Sequence, residues 1–491
     1  MSSRELVEHA LSRIDELNPR VNAFVALDAD AALAAADDVD RRIASGEDVG
    51  PLAGIPIGVK DLEDARGFVT SSGSATHAGD APAKRDSVLV SRLRDAGAIV
   101  VGKTNTPEFG LKPQTDNPTF GITRNPWDLE RTPGGSSGGT SAALAAGMVP
   151  LATGSDGGGS IRIPSAATAL SGLKPSLGRV PTGDAGPPGW QNLSTRGVMA
   201  RRIRDVAYAL DVVVGPEPRD LRSLPRDATS WFAAASDPHP PTRVGWSPTL
   251  GYARVDREIR AACEGAVRKL EAAGTEVVDV DTVFTEDPGP AIGALVSTYT
   301  RRTVEPFRGT PFWSQLDPLV VIAAEVAGAT ISAVDLVAAE DSCHRLNGQL
   351  VDVFEDVGLL ICPTTCGVLP LASMPITVED LMARFLDAGD IDIARLTQGL
   401  DLDQLTSWLQ GLGALDVPLG TVDDELVLDW SRLTQPFNMT RSPAGTVCAG
   451  FTASGLPIGL QVVGPQHGDV AVLQAAAVLE DLLPLDTVAP I

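Results

Sequence analysis

Little of this chain is aromatic, cysteine or histidine: Phe, Trp and Tyr make up 4% of its 491 residues, alongside five cysteines and five histidines. Each shortage removes a class of explanation. The cysteines, Cys263, Cys343, Cys362, Cys366 and Cys448, are odd in number and scattered, so they form no disulfide framework and read as reduced thiols. Cys362 and Cys366, in CPTTC, miss the spacings of redox and zinc motifs and read as buried spacer residues. No uninterrupted apolar run approaches the ~18 residues that span a bilayer, and the start, MSSRELVEHALSRIDELNPR, carries no apolar signal core. No membrane association and a cytoplasmic location are therefore expected. Basic side chains are outnumbered, 39 against 63 acidic, for a net charge of -24. Such a surface repels phosphate backbones, so no nucleic acid is expected as a direct ligand.

What is present is a globular composition, 43% hydrophobic and 21% charged, biased toward small aliphatic packing. Ser2 and Glu5 form a capping box ahead of Leu6, Ala10, Ile14 and Leu17 at helical spacing, and Asn18-Pro19 is expected to stop that helix. A second helix is expected over residues 28–45, and LAGIPIGVKD reads as a buried strand ending near Lys60. SVLVSRLRDAG followed by AIVVGK is a helix-to-strand step. The step recurs at residues 256–273 before TEVVDV and at residues 331–357 before GLLICPT, which predicts a helix-covered α/β sheet. GLPIGLQVVG reads as a late strand, and Asp469 as the cap of a final helix through Leu483. Residues 182–240, rich in Pro, Gly and Asp, and residues 370–430, acidic and Leu-rich, are expected as elaborations on a single domain spanning 1–491.

Chemistry concentrates in two glycine-rich loops, TPGGSSGGTSAALAAG and GSDGGGSIRIPS. Gly134, Ser136 and Gly138 fit the G-x-S-x-G pattern of a nucleophile elbow, as do Gly135, Ser137 and Gly139 one step later. An elbow needs a histidine downstream, and His239, His344 and His467 lie in PHP, CHR and QHG contexts. Of these His467 is the best placed, though it fits equally well as a loop residue ahead of the last helix. A desolvated lysine is another base, because burial disfavours the ammonium form. Lys60 stands at the end of an apolar strand, and period-two alternation turns Asp61 to the opposite face, away from its amine.

GIPIGVKD, PGGSSGG and GSDGGGSIRIPS, in this order and spacing, resemble the amidase signature family, whose members use a Ser-cisSer-Lys triad. VSRLRDAGAIVVGKTNTPEFG, TRNPWD, LKPSLGRVPTG, GLLICPT, PFNMT and GLPIGLQVVG resemble family segments as well. The resemblance implies one large mixed β-sheet covered by helices on both faces. It makes Lys60 the base, Ser136 the bridging serine on a cis peptide and Ser160 the acylated nucleophile. It places the oxyanion hole at Gly157, Gly158, Gly159 and Ser160, with Ser137, Asp156 and Arg162 in supporting roles. The chain departs from the family at Gly157, where a threonine is usual, at Arg441-Ser442-Pro443, where Gly-x-Pro is usual, and in opening within the family's first helical region.

The function expected from these residues is hydrolysis of a carbon–nitrogen bond in a small-molecule amide through an acyl-enzyme, with neither metal nor organic cofactor. A homodimer is a candidate assembly by analogy. Three other readings stay open: the glutaminase subunit of a tRNA-dependent amidotransferase, a binding protein without catalysis on the same fold, and a His467-dependent esterase. Phe109, Gln114, Trp190, Tyr299, Trp313 and Trp430 are candidate pocket residues.

Overall fold

The structure is a computed structural model that describes residues 1–183, 190, 192–373 and 431–491. Its strands follow the chain as β1 (Phe24–Leu27), β2 (Pro56–Lys60), β3 (Ile99–Thr104), β4 (Asp116–Asn117), β5 (Gly121–Ile122), β6 (Leu151–Asp156), β7 (Ser171–Lys174), β8 (Thr195–Ala200), β9 (Arg243–Trp246), β10 (Glu276–Asp279), β11 (Leu359–Pro363), β12 (Ala444–Phe451) and β13 (Pro457–Val463). All but β4 and β5 join one sheet of 11 strands in the order β1-β3-β2-β6-β8-β7-β12-β13-β11-β9-β10. The sheet is mixed. β2 runs parallel to both β3 and β6, and β9 runs parallel to β10 and β11. The pairings of β6 with β8 and of β12 with β13 are antiparallel.

Alternation along the central strands shows why both faces need helices. In β8, Val198 and Ala200 join one apolar cluster and Met199 the other; in β3, Val100 joins the first while Ile99 and Val101 join the second. The first cluster packs under the helices Val88–Asp95, Ile203–Val213, Arg257–Ala272 and Asp469–Leu482. Ser3–Val21, Ala29–Ala44 and Gly138–Ala145 cover the other face. A strand buried on both sides carries a near-continuous apolar run, which is the pattern in AIVVGK and GLPIGLQVVG. This is the α/β architecture that the sequence implied.

Several local expectations change. The first helix continues through Pro19 to Val21 and ends on Asn22 in the left-handed region. A proline in the last turn forfeits one hydrogen bond, and Asn22 N–H closes the end on Asn18 O at 2.7 Å. Asp469 begins the last helix without capping it, because its carboxylate accepts from the backbone N–H and the hydroxyl of Ser176, both at 2.7 Å. Part of the segment expected as an elaboration, residues 182–240, lies in the sheet, since β8 sits between β6 and β7. Its short run, TRGVMA, is hidden among turn-forming neighbours. Residues 184–189, 191 and 374–430, including Trp430, lie outside the described residues. Among the described residues, no single helix is long and apolar enough to cross a membrane.

Candidate active site

The site is built where the parallel strands β2 and β6 end side by side. Ile57 and Val59 fill the first apolar cluster, so alternation sends Lys60 to the other face together with Gly58. A Cβ on Gly58 would stand 2.9 Å from Thr104 Cγ2 and 3.2 Å from the Phe24 ring, which shows how tightly that face is filled. The Lys60 backbone N–H donates to Thr153 Oγ1 of β6 at 2.9 Å, locking the two strand ends together.

The amine of Lys60 is fully buried and donates to three hydroxyls: Ser136 Oγ at 2.8 Å, Ser137 Oγ at 2.8 Å and Ser155 Oγ at 3.1 Å. Burial lowers its pKa to about 7, against the opposing pull of Asp156 and Glu63. Asp61 does turn away, pairing with Lys103 Nζ at 3.2 Å. An amine held by hydroxyls alone, without a carboxylate contact, can exist neutral and accept a proton from any of them.

Ser136 follows a cis peptide bond, Gly135-Ser136. Residues 105–117 mould this loop. Thr106 Oγ1 donates to Ser136 O at 3.0 Å, and a Cβ on Gly135 would lie 2.9 to 3.0 Å from the backbone of Pro113 and Gln114. A Cβ on Gly139 would meet the backbone N of Asn105 at 2.3 Å. Gly135 and Gly139 of PGGSSGG are thus required by close approach of two backbones.

Past the end of β6, the second loop runs from Gly157 to Ser160. The Ser137 N–H donates to Ser160 O at 3.3 Å, joining it to the first loop. Among the described residues, the hydroxyl of Ser160 has no hydrogen-bond partner, and neither do the backbone N–H groups of Gly157, Gly158 and Ser160. Gly159 departs from its expected place in the oxyanion hole. Its N–H donates to Asp156 Oδ1 at 2.8 Å, because the loop folds back over that carboxylate, and its φ of 131° is a conformation that favours glycine.

Asp156 and Arg162 pair to form a bracket around the loop, with Nε to Oδ2 at 3.0 Å and Nη2 to Oδ1 at 2.9 Å, both side chains fully buried. Burial pushes the Asp156 carboxyl up, but the Arg162 guanidinium, with Lys174 and Asn438, holds it well below the usual carboxylate range. Arg162 also donates to Thr434 O at 2.8 Å, Gln461 Oε1 at 2.7 Å and Asn438 Oδ1 at 2.6 Å. Thr434 Oγ1 donates to Gly158 O at 2.7 Å.

Sequence reasoning missed Thr153, Ser155, Thr434, Asn438 and Gln461. The first two carried a usable signal, since a polar T-x-S in an otherwise apolar strand needs partners; the others are single polar letters almost 300 residues away. His467 lies elsewhere: its N–H donates to Ser176 Oγ at 3.0 Å and its carbonyl accepts from Arg179. Of the candidate pocket residues, Phe109 precedes Gly110, whose Cβ would lie 3.2 Å from Ser136 Oγ, and Trp190 covers Gly157. Gln114 is buried and donates through Nε2 to Ala372 O at 3.1 Å. Tyr299 packs on the apolar cluster that Trp190 also joins, and Trp313 on the one that Phe109 joins.

A family model described as Amidase matches residues 5–389 and 415–473. An acylamidase of Rhodococcus erythropolis is 35% identical over 488 residues, covering 99% of this chain and 93% of that protein. A glutamyl-tRNA(Gln) amidotransferase subunit from Salinispora tropica is 34% identical over 518 residues, with 98% and 94% covered. Among solved structures, a bacterial aryl acylamidase of the amidase signature family superposes with a TM-score of 0.84 at 27% identity, covering 100% of this chain and 96% of its own.

Proposed function

The chain belongs to the amidase signature family, hydrolases of carbon–nitrogen bonds, and on that premise we propose that it cleaves small acyl amides through a covalent acyl-enzyme on Ser160. The observation that carries this reading is the Lys60 amine, buried, with a pKa lowered to about 7 and 2.8 Å from Ser136 Oγ. Ser160 Oγ attacks the carbonyl carbon. Its proton passes to Ser136 Oγ as the Ser136 proton passes to Lys60 Nζ, so one ammonium forms and no charge is left on either serine. The step requires Ser160 Oγ to come within hydrogen-bond reach of Ser136 Oγ when substrate binds. The tetrahedral oxyanion is met by the free N–H groups of Gly157, Gly158 and Ser160, while Gly159 and Asp156 hold the loop that presents them. The relay then returns a proton to the leaving nitrogen as the C–N bond breaks, and water repeats the sequence on the acyl ester. The likeness to an acylamidase and to an aryl acylamidase supports N-acyl amides as the substrate class of this chain.

The test is turnover and trapping together. Ser160→Ala is expected to abolish amide hydrolysis without changing the fold, and a fluorophosphonate probe is expected to add once to the wild type, at Ser160. An adduct elsewhere, or near-normal turnover in Ser160→Ala, overturns the mechanism. A second reading, the glutaminase subunit, is supported by the similarly high identity to the Salinispora protein. It requires glutamine-dependent amidation of charged tRNA with partner subunits; the first reading expects the purified chain to hydrolyse simple amides alone.

A further inference from the structure

The departure at Gly157 leaves no gap in the loop. Gly157 is buried, and the space a side chain would occupy is taken by the Trp190 indole: a Cβ at 157 would lie 2.4 Å from Cε3 and 2.9 Å from Cζ3. The benzenoid edge of that ring therefore rests directly on the loop that presents the free N–H groups. Trp190 is held there against resistance, since its φ of 52° is uncommon for a bulky residue. Its carbonyl accepts from Leu193 N–H at 2.8 Å, and Leu193 O accepts from Asn438 Nδ2 at 3.1 Å, which ties the turn to the Asp156–Arg162 bracket. One side of the ring packs on the apolar cluster that includes Leu193, Leu250 and Phe437, and the residue is only half-buried.

The two sides of the site differ in chemistry. Beside Ser136 Oγ stands Gly110, where a Cβ would lie 3.2 Å from that oxygen and 2.8 Å from Leu62 Cδ1, and the leaving nitrogen must lie near Ser136 to receive its proton. With the carbonyl oxygen in the oxyanion loop, the acyl substituent is directed away from the relay, toward the loop's other flank. Resting on the mechanism above, the geometry points to Trp190 as the residue that selects the acyl group of the substrate: an apolar aromatic wall, made possible by glycine at 157, that favours flat or apolar acyl chains larger than acetyl.

The experiment compares kcat/KM for acetyl, butyryl and benzoyl p-nitroanilides, and separately for acetyl amides of different amines. In Trp190→Ala, loss of apolar contact is expected to lower kcat/KM about tenfold or more for butyryl and benzoyl, to change acetyl by less than about threefold, and to preserve the ranking of amines. Trp190→Phe is expected to restore most of the discrimination. As a readout independent of turnover, Gly157→Ala is expected to lower the melting temperature of the wild type and to lower it less in a Trp190→Ala background. A uniform loss across the acyl series, a reordering of the amines, or additive Gly157 and Trp190 effects on melting overturns the assignment alone. Absence of both turnover and a Ser160 adduct in the wild type overturns the acyl-enzyme mechanism and this assignment with it.

Discussion

At Lys60, burial removes the hydration that keeps an amine charged, and three serine hydroxyls replace it without supplying a counter-ion. A base needs that condition. We expect kcat/KM to rise with pH through an apparent pKa near 7, as Lys60 becomes neutral, and Lys60→Met to lower kcat by about a thousandfold or more, the upper range for loss of a general base. The same shift bears on stability with a definite sign. The folded pKa of about 7 lies below the ordinary lysine value of 10.5, so between them the unfolded chain binds the extra proton. The group therefore opposes folding most fully below pH 7, by about 5 kcal/mol for a shift of this size, and the opposition fades as pH rises toward 10.5. Denaturant titrations should find Lys60→Met more stable relative to wild type at pH 6 than at pH 10; an equal difference at both would remove the argument that this lysine is held neutral. The meeting of Lys60 with Ser136 was legible because three glycine-rich segments resemble those of the amidase signature family in order and spacing. Gly159 was misplaced because a backbone N–H has no letter of its own, and its direction depends on how the loop closes on Asp156.

Elements were legible where their pattern was local. The capping residue Ser2, the second helix and the helix-to-strand steps at residues 86–104, 256–279 and 331–363 needed only the period of apolar residues and a start or stop signal. β8 was not, because six residues between turn-rich stretches offer too few periods, and its place is fixed by partners β6 and β7, whose pairing with it no local pattern announces. The first glycine loop is a second case: glycine offers no side chain to announce a partner, whereas Gly135, Gly138 and Gly139 lie hard against residues 105–117. Gly139→Ala tests this. A methyl group there would meet the backbone N and O of Asn105 at 2.3 and 2.5 Å, atoms that cannot rotate aside. We expect a loss of about 3 kcal/mol or more in unfolding free energy, at the severe end for a single added methyl group. Gly147→Ala is the control, since a Cβ there would find no atom within 4 Å, and its φ of 68° alone should cost about 1 kcal/mol. Similar losses at both positions would show that the approach of Asn105 to Gly139 is relieved at little cost and does not limit the loop.

Across the whole molecule, Arg162 is the joint between the two ends of the chain. From the start of the helix Arg162–Ala167 it reaches Asp156 at the end of β6, Gln461 in β13 and both Thr434 and Asn438 before β12. The carboxyl-terminal strands are thereby fastened to the loop that carries Ser160. Removing one member of a buried pair leaves the other charged without a partner, which costs about 3–5 kcal/mol. Arg162→Met is therefore expected to unfold at markedly lower denaturant concentration than wild type, with amide turnover lost at concentrations where the fold persists, because Asp156 no longer holds the Gly159 and Ile161 N–H groups in place. Acid should separate the variants further. The folded Asp156 pKa lies below the ordinary value of 3.8, so its contribution is fully present above that value and lost as pH falls through the lower folded one. Wild type should gain stability between pH 3 and pH 5 from this group, and Arg162→Met should lack that part of the gain. Parallel pH profiles for the two proteins would mean that Asp156 draws its low pKa from the loop N–H groups and Asn438, leaving Arg162 a fastening between segments with no electrostatic part in presenting the loop.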